Sequence, residues 1–508
     1  MKLDTKRTIF VGFAFFLICA FWQAYDNTIP LILIHKFGMN QTWSGLVMAL
    51  DNILAVFLLP IFGILSDRCH SRFGRRTPFI VVGTVAAVAA LLGIATVDAG
   101  QAKLLSSVSD LGSTQTLTEI YNTAGNLPLM TSEGERYVLA EKYTRESFTA
   151  LAEPGHEAEN ACYAEPARRA YAAKQTSQEP YRLVLFIVLL LTALLSMAIF
   201  RSPAVALMPD VTPKPLRSRA NAVINLMGSI GGILVLLFGL LFGTATLNQK
   251  LASFFPYLAT VAALMLLSLL IFLLNVREPT LVKMAEQEAQ SIGLTKEIED
   301  KNKRKLSKDK LHSLIFLLLS IVLWFMGYNA VTSKYSVYAT SILRKNYNLT
   351  LMIAQAAAIL SYLPVGFISA RFGRKKTILV GVVMLTFSFL SVAFMTAETS
   401  DVFIHFGFIL AGIAWATINV NSFPMVVEMC SGSDIGKYTG IYYTASMTAQ
   451  IVTPILSGAL MDALGMRILL PYATVFSTLA FFTMLRVRHG DTKPIAPRGL
   501  EAFGEQDD

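Results

Sequence analysis

The sequence predicts an all-α membrane protein in which twelve transmembrane helices form two six-helix halves, with a polar external insertion between helices 3 and 4. Apolar residues lie in blocks of about twenty, which is the length of one membrane-spanning helix. Only 15% of the 508 residues are charged, against about a quarter in a soluble protein, and the mean hydropathy is +0.54. These observations exclude a soluble enzyme, a secreted disulfide scaffold and a disordered chain.

Each apolar block is assigned to one span, numbered span 1 to span 12 along the chain. Span 1 follows Lys2, Lys6 and Arg7 as a signal peptide would, but its apolar stretch continues to about Leu33. That length exceeds a signal segment, so we expect an uncleaved first span. The predicted spans are 8–33, 43–65, 78–97, 181–206, 219–244, 253–275, 312–333, 350–370, 377–396, 402–427, 437–460 and 468–486.

Basic residues in the short loops predict the orientation, because cytoplasmic loops carry an excess of Lys and Arg. The basic loops alternate along the chain, and they contain Arg68, Arg72, Arg75, Arg76, Lys214, Arg217, Arg219, Arg371, Arg374, Lys375 and Lys376. Both termini are therefore expected on the cytoplasmic side of the plasma membrane. Since the net charge of +9 arises largely from such loops, it does not indicate a nucleic-acid partner.

Two polar segments divide the array of spans. The predicted organisation is helices 1–3 in 1–97, an extracytoplasmic insertion in 98–180, helices 4–6 in 181–275, a cytoplasmic linker in 276–311, helices 7–12 in 312–488 and a cytoplasmic tail in 489–508. The insertion is rich in Glu, and helical stretches such as 135–151 are expected within it. It is interpreted as a solvated cap, with a role in gathering substrate as the alternative.

A short internal repeat supports the division into halves. The first copy runs from Gly63-Ile64-Leu65-Ser66-Asp67 to Arg72-Phe73-Gly74-Arg75-Arg76, and the second runs from Gly366-Phe367-Ile368-Ser369-Ala370 to Arg371-Phe372-Gly373-Arg374-Lys375-Lys376. The copies follow spans 2 and 8, which are corresponding places in the two halves. The repeat predicts parallel halves related by an axis along the membrane normal.

The same loop carries a family resemblance. Gly-x-x-x-Asp followed by Arg-x-Gly-Arg-Arg, here Gly63 to Arg76, resembles the signature loop of the major facilitator superfamily. The longer stretch 66–80, together with 208–213 and 217–221 after span 4, resembles the sucrose–proton symporters of the glycoside–pentoside–hexuronide cation symporter group. The resemblance covers essentially all twelve spans and excludes 98–180. It implies a secondary active transporter that moves a glycoside with a proton by alternating access.

Two departures from the family pattern limit what is carried over. Sodium-coupled members of the melibiose type have paired aspartates on span 2, where this chain has Ala55 and Leu59 ahead of Pro60, so a sodium site of that type is doubtful. The sucrose-type pattern also has an arginine before the aspartate that ends span 4. This chain has Val205 there, and Arg201 lies one helical turn earlier on the same face.

Polar side chains at membrane depth are costly, so each is a candidate functional residue. The candidates for substrate binding are Trp22, Gln23, Asn225, Trp324, Tyr328, Asn329, Trp415, Asn419 and Gln450. In the superfamily that this chain resembles, spans 1, 4, 7 and 10 line the central cavity. For each aromatic or amide side chain an alternative stays open, namely an interfacial belt or a hydrogen bond between helices.

These residue types favour a neutral polyol over an anion. A sugar has apolar faces that stack on Trp or Tyr, and hydroxyls that require amide or carboxylate partners. An anionic substrate would require converging Arg and Lys, whereas only Arg201 is clearly at depth and Lys334 is expected near the outer mouth. Arg201 has three open interpretations: contact with the substrate or proton site, an inner gate, and snorkelling to the interface.

Carboxylates in the spans are the candidates for proton coupling, because a carboxylate removed from water binds a proton more readily. Asp26 is the first choice, Asp51 is the second, and Arg201 is grouped with them. If neither carboxylate couples transport to protons, Glu428 is the remaining one near an end of a span.

A gating loop is implied by the resemblance. Its residues are Gly63, Asp67, Arg68, Gly74, Arg75, Arg76, Gly366, Gly373 and Arg374. Asp67 is expected to lie close to the N-terminus of span 11 near Gly436, and only while the cytoplasmic side is closed. The alternative is that the arginines merely set the topology. Ala370 occupies the place of Asp67 in the second half, which weakens an equivalent latch there.

No pattern in the sequence indicates an enzyme, a metal site or a cofactor. There is no phosphate-cradling motif and no Ser/His/Asp arrangement, and the four cysteines lack metal-ligand spacing. The expected partners are a small-molecule substrate such as a sugar, a coupling proton and the lipid bilayer, with the protein functional as a monomer. The alternatives are a facilitator or exporter of another small or amphiphilic solute and, more remotely, a non-transporting membrane sensor.

Overall fold

The structure, a computed structural model, describes residues 3–213, 216–291, 308–429 and 435–490. Within these ranges twelve helices are long and apolar enough to cross a membrane, which confirms the predicted twelve-helix membrane fold. The spans are Thr5–Leu31, Gln41–Asp67, Thr77–Leu104, Tyr181–Val211, Arg217–Leu241, Phe255–Asn275, Lys308–Tyr338, Tyr347–Phe372, Arg374–Ala393, Asp401–Val427, Ile435–Leu464 and Leu469–Leu485. Turns of π-helix, Ile32–Lys36 and Ala339–Leu343, extend spans 1 and 7.

The spans pack as two groups of six, as the repeat predicts. In the first half span 1 packs on spans 5 and 6 and span 3 packs on span 4; in the second half span 7 packs on spans 11 and 12 and span 9 packs on span 10. The halves contact each other mainly through spans 2 and 11, spans 5 and 8, and spans 1 and 7. Gly45 and Gly458 allow the closest approach, because a side chain on either would collide with the backbone of the facing span.

The two copies of the repeat have the same local structure. Gly74 and Gly373 have φ of +108° and +92°, in the region that favours glycine, and each lies just before the following span. The hydroxyl of Ser66 donates to the carbonyl of Gly63 over 2.8 Å, and Ser369 donates likewise to Gly366 over 3.0 Å. The repeat therefore specifies the sharp turn after spans 2 and 8.

The two ends of the bundle differ in charge and in size. The end with the Arg-rich loops, called the basic end, also holds the first residues of span 1 and the linker helix Glu278–Ser291, since Arg7 donates to the carbonyls of Val211 and Leu281. The opposite end, called the insertion end, carries residues 105–180 and the short helix Thr244–Gln249. Residues 292–307 of the linker, the last residues of the chain and the segment before span 11 lie outside the described residues.

Residues 105–180 fold around an apolar cluster of their own, which contains Leu117, Phe148 and Tyr171. The elements are the helices Thr114–Ala124, Leu139–Lys142, Arg145–Thr149 and Glu157–Gln178, short 3₁₀ turns Ser106–Val108 and Ala150–Ala152, and strands β1 (Pro128–Met130) and β2 (Arg136–Val138). The strands form an antiparallel hairpin. The helical stretch expected over 135–151 is helical only in part, because strand β2 occupies its start and two separate short helices follow.

Span 3 extends to Leu104, past the predicted boundary at 97, so Asp98 belongs to a span and not to the insertion. The Asp98 carboxylate accepts from the Lys36 ammonium over 2.5 Å and from the Phe254 backbone amide over 2.6 Å. Both charged side chains are fully buried. The predicted end of span 3 fell just before Asp98 because hydropathy treats a charged residue as exposed and does not reveal that Lys36 neutralises it inside the bundle.

The halves are joined at the insertion end. Asp462 of span 11 accepts from the backbone amides of Gln41 and Thr42 over 2.9 and 2.7 Å, and buried Lys334 donates to the carbonyl of Gln41 over 2.9 Å. The side chain of Asn348 on span 8 donates to the hydroxyl of Thr244, which follows span 5. Lys334, expected near the outer mouth, lies at the insertion end, where it is enclosed between spans 2, 7 and 11.

Towards the basic end the halves separate. Most residues of span 2 from Gln41 to Ala49 are buried, whereas from Leu50 to Asp67 only Ala55 and Ser66 are. The matching part of span 11 is open as well, since no side chain among the described residues lies close to the free face of Gly440. The described conformation is therefore closed at the insertion end and open towards the basic end.

Candidate substrate cavity and gating loops

A cavity of about 380 Å³ lies between the two halves at the middle of the bundle. This volume is within the range of small-molecule sites, about 300–1,000 Å³. Its lining comes from both halves: Phe15, Ile18, Cys19, Trp22, Gln23, Asp26, Arg201, Asn225, Ser229, Phe325, Asn329, Gln355, Trp415, Asn419, Tyr442, Tyr443, Ser446 and Gln450. We call it the central cavity.

Two smaller cavities adjoin the central cavity and share side chains with it. One of about 240 Å³ is lined by Gln23, Asp26, Tyr328, Gln355 and Trp415, together with apolar residues of spans 7, 8 and 10. The other, of about 90 Å³, is polar and is lined by Asp26, Asp51, Asn52, Asn329, Thr332, Ser333 and Gln450, among others. Asp26 is common to all three cavities, which makes it the best-connected carboxylate of the site.

Nearly all of the sequence-predicted binding residues converge here. Those that line the central cavity are Trp22, Gln23, Asn225, Asn329, Trp415, Asn419 and Gln450. Tyr328 lines the cavity of about 240 Å³ and stacks on Trp415, with ring centroids 3.6 Å apart and planes within 5°. Of the predicted coupling residues, Asp26 and Arg201 line the central cavity. Asp51 lines the smallest cavity, and its carboxylate accepts a hydrogen bond from the Asn52 side chain over 2.8 Å.

Trp324 is the exception. Its side chain is fully buried in the apolar core, and it lines none of the three cavities. At 3.6 residues per turn, Trp324 is rotated about the helix axis by about 100° from Phe325 and by about 80° from Thr332. The lining face of span 7 is centred on Phe325, Tyr328, Asn329 and Thr332 instead.

The electrostatics of the central cavity are those of a weakly charged site. Of the side chains lining the three cavities described here, Arg201 alone is basic, and its guanidinium lies 5.9 Å from the centre of the Trp22 ring. Such an arrangement does not supply the converging cations that bind a phosphate or a dicarboxylate. Aromatic faces and amides therefore dominate the surface available to a solute.

Several buried polar atoms of the cavity walls have no hydrogen-bond partner among the described residues. They are Nε1 of Trp22, Nδ2 of Asn329 and Oε1 of Gln355. Buried donors and acceptors are costly when unpaired, so a polyhydroxylated solute in the cavity would gain by satisfying them. The set holds both donors and an acceptor, which matches hydroxyl groups.

Sequence reasoning missed Gln355. This residue of span 8 lines the central cavity and the one of about 240 Å³, and its amide comes close to that of Gln23 across Gly232. The signal was present, because Gln355 is an amide within an otherwise apolar span, which is the criterion that selected Asn225 and Gln450.

The first gating loop forms a network around Arg76. Its guanidinium contacts Asp67 over 2.5 Å and Asp210, at the end of span 4, over 2.9 Å. Arg75 also pairs with Asp210, at 3.2 Å. Asp67 is 56% exposed and pairs within its own half; its expected contact with the N-terminus of span 11 near Gly436 stays a prediction for the state that is closed at the basic end. Arg68 is exposed beside it, and Gly63 lies within span 2.

Glu278 anchors this loop to the linker helix and was not foreseen. Its buried carboxylate accepts from the backbone amides of Arg75, Arg76 and Thr77 and from the Thr77 hydroxyl, over 2.7–3.1 Å. These amides form the start of span 3, where a helix favours negative charge. The linker is therefore fixed to the spans at its start.

The second gating loop has an ion pair despite the loss of the aspartate at Ala370. Arg374 contacts Glu428, at the end of span 10, over 2.7 Å. The pair corresponds to Arg75 with Asp210 in the first half. Glu428 therefore belongs to the basic end and lies outside the cavities described above, which removes the reason to treat it as a reserve coupling carboxylate. Gly366 lies within span 8, where it is buried.

Comparisons with known proteins agree with this architecture. The solved structure of the xylose transporter XylE from E. coli, in an inward-open conformation, superposes with a TM-score of 0.59 over 96% of each chain at 14% identity. A bacterial homologue of the iron transporter ferroportin, in an inward-facing state, gives a TM-score of 0.60 at 13% identity over 96% of this chain and 99% of that one. At such identities these structures bear on the fold alone.

Curated relatives match over short stretches. The Sucrose transport protein SUC4 of Arabidopsis thaliana is 38% identical over 53 residues, which is 10% of each chain. The Proton-associated sugar transporter A of Homo sapiens is 45% identical over 65 residues, 13% of this chain and 8% of that protein. The chain thus matches about a tenth of the length of these relatives.

Family models cover far more of the chain. The model described as MFS/sugar transport protein matches residues 11–112. The model for the Major Facilitator Superfamily matches residues 176–359 and 345–505, which is more than half of the chain and includes spans 4 to 12. The chain therefore belongs to the major facilitator superfamily, a family of membrane transporters and not of enzymes.

Proposed function

We propose that this protein is a secondary active transporter that carries a glycoside, either a sucrose-like disaccharide or a related sugar, together with a proton. The observation that carries the proposal is the composition of the central cavity. Stacked aromatic rings, the amides of Asn329 and Gln355 with atoms unpaired among the described residues, and one carboxylate shared by three cavities surround a space with a single basic side chain. The names of the sucrose and proton-associated sugar transporters among the short matches support the same substrate class.

The conformation supports transport by alternating access. The cavity is reached from the basic end, while Asp462, Lys334 and Asn348 hold the insertion end closed. Basic loops face the cytoplasm in most membrane proteins, so we infer an inward-open state with both termini in the cytoplasm. Release of a sugar to the cytoplasm then requires no further opening, and uptake requires the insertion end to part.

Asp26 is the proposed coupling carboxylate, and Asp51 is its nearest alternative. Asp26 reaches the substrate cavity and also the polar cavity that contains Asp51. Protonation of Asp26 would remove a charge from the wall that also binds the sugar, so the two events affect one surface. A membrane potential of about 100 mV supplies about 2.3 kcal/mol per charge moved, which sustains about fifty-fold accumulation.

The test is transport by the full-length protein in proteoliposomes, with labelled disaccharides and an imposed proton gradient. The wild type should accumulate a sugar when the gradient is present and only equilibrate it when the gradient is absent. Asp26→Asn should abolish accumulation and retain exchange of labelled for unlabelled sugar. Asp401→Asn, at an exposed carboxylate outside the cavities, is the control and should behave as the wild type. Normal accumulation by Asp26→Asn would refute Asp26 as the coupling carboxylate. If the wild type accumulated no more sugar with the proton gradient than without it, proton symport would be refuted.

A further inference from the structure

A second large cavity lies on the outside of the bundle, between spans 8, 9 and 10 at the basic end. Its volume is about 540 Å³, and its walls are almost entirely apolar. The side chains of Ile368, Phe372 and Val380 are 46%, 54% and 57% exposed there, so the groove faces the surrounding membrane. We call it the lateral groove.

The lateral groove is not a branch of the transport route. Tyr362, Val365 and Ala416 form a buried apolar layer between spans 8 and 10, and Tyr362 lines the cavity of about 240 Å³ on the other side. The hydroxyls of Ser361 and Thr417 in the groove donate to carbonyls of their own helices, so they are not directed at a polar ligand. The interior of the groove suits a hydrocarbon chain.

The length of the groove matches one leaflet. Along span 8 it extends from Ser361 to Phe372, which at 1.5 Å per residue is about 16 Å. The hydrocarbon core of a bilayer is about 30 Å thick, so half of it is about 15 Å. An acyl chain standing in the leaflet at the basic end would therefore fill the groove along its length.

A cation lies where the headgroup of such a lipid would be. Lys376, at the start of span 9, is exposed and is the one charged side chain of the groove lining. Arg371, at the end of span 8, is exposed as well, and its guanidinium lies 5.5 Å from the centre of the Phe372 ring. Lys375 points elsewhere, since its ammonium donates to the carbonyl of Leu485 over 3.1 Å. The charge complements an anionic phosphate and not a neutral surface.

We propose that the lateral groove binds one anionic phospholipid, with an acyl chain between spans 8, 9 and 10 and the phosphate at Lys376. The proposal does not depend on which solute the central cavity carries. It commits to a membrane lipid, because the apolar part of the site accounts for most of its volume and lies at membrane depth.

The test is native mass spectrometry of the full-length protein in detergent, titrated with dioleoyl phosphatidylglycerol, dioleoyl phosphatidylcholine or dihexanoyl phosphatidylglycerol. The wild type should retain one dioleoyl phosphatidylglycerol in preference to the other two lipids. Lys376→Gln should raise the half-saturating concentration about fivefold. Val380→Trp, which places a ring in the groove at an exposed position, should abolish retention by steric exclusion.

Lys375→Gln is the matched control, because it removes an adjacent cation that is directed towards Leu485. It should titrate as the wild type does. Equal retention of phosphatidylcholine, or equal losses in Lys376→Gln and Lys375→Gln, would overturn the role of Lys376. Tight binding of the short-chain lipid, or unchanged retention in Val380→Trp, would overturn the groove as the site.

Discussion

Replacing Asp462 by alanine should open the insertion end. Asp462 belongs to the second half, and its carboxylate accepts from the backbone amides of Gln41 and Thr42 and from the Thr42 hydroxyl, all in the first half. These bonds cross the only boundary that must part when the transporter exposes its cavity at that end. Span 2 keeps its own cap in the variant, because Asn40 accepts from the amide of Trp43 over 2.8 Å.

The magnitude follows from the number of bonds lost. A hydrogen bond to a charged group contributes about 1.5–3 kcal/mol, so the two backbone bonds alone contribute about 3 kcal/mol at the lower limit. Since 1.4 kcal/mol is a factor of ten, the ratio of open to closed molecules should rise a hundredfold or more in Asp462→Ala. The bonds exist only in the closed state, so the whole difference acts on this equilibrium.

Distances between spin labels on spans 2 and 11 measure that ratio directly. Trp43 and Leu464, 60% and 57% exposed at the insertion end, are suitable label positions once the four native cysteines are replaced. Asp462→Ala should populate a longer distance. Asp401→Asn breaks the ion pair with Lys345 at the same end but within one half, so its distribution should not change. A change of less than threefold in Asp462→Ala would refute the argument.

Three further outcomes are expected. Asp98→Asn should lower the free energy of unfolding by about 3–5 kcal/mol, measured by denaturation in detergent, because it leaves the buried Lys36 ammonium without its counter-charge. Trp415→Ala should weaken sugar binding at least tenfold in a binding titration, whereas Trp324→Phe should leave affinity unchanged and lower only the melting temperature, because Trp324 is a core residue. Glu278→Ala should increase hydrogen exchange of the amides that begin span 3, since it removes the acceptor of four hydrogen bonds; unchanged exchange would contradict its role as the anchor.

Much of the fold could be predicted because membrane spans are strong local signals. Hydropathy over about twenty residues identified all twelve spans, and the repeated loops identified the two halves before any contact was known. Local patterns also predicted the cavity, because a polar side chain is costly in an apolar span unless it faces the interior of the bundle or a water-filled cavity. Asn225 and Asn419 were found in this way, and both line the central cavity.

The errors arose where a residue's environment is set by a distant partner. Asp98 and Lys36 are far apart in sequence, so their charges appeared to end or flank helices when they in fact pair inside the bundle. Glu278 looked like an ordinary linker residue because the amides that donate to its carboxylate, at the start of span 3, are about 200 residues away in the sequence. Trp324 lies in span 7 as predicted, but its side chain faces the core and not the cavity, because hydropathy does not determine how a helix is rotated about its axis. Side-chain direction and long-range pairing are therefore what the sequence leaves open.

The polar contacts of the described conformation are distributed unevenly, and this bears on the function of Asp67. At the insertion end Asp462 and Lys334 bond from one half to the other, whereas the pairs of Arg76 with Asp210 and of Arg374 with Glu428 each stay within a half. A transporter that visits both states requires them to lie within a few kcal/mol of each other. Closure of the basic end must therefore supply contacts between halves that offset those lost at the insertion end. Asp67 is the exposed carboxylate of the first gating loop, so it can accept hydrogen bonds from the second half, such as from the amides that begin span 11. Its role as a latch is the prediction that this balance of contacts favours.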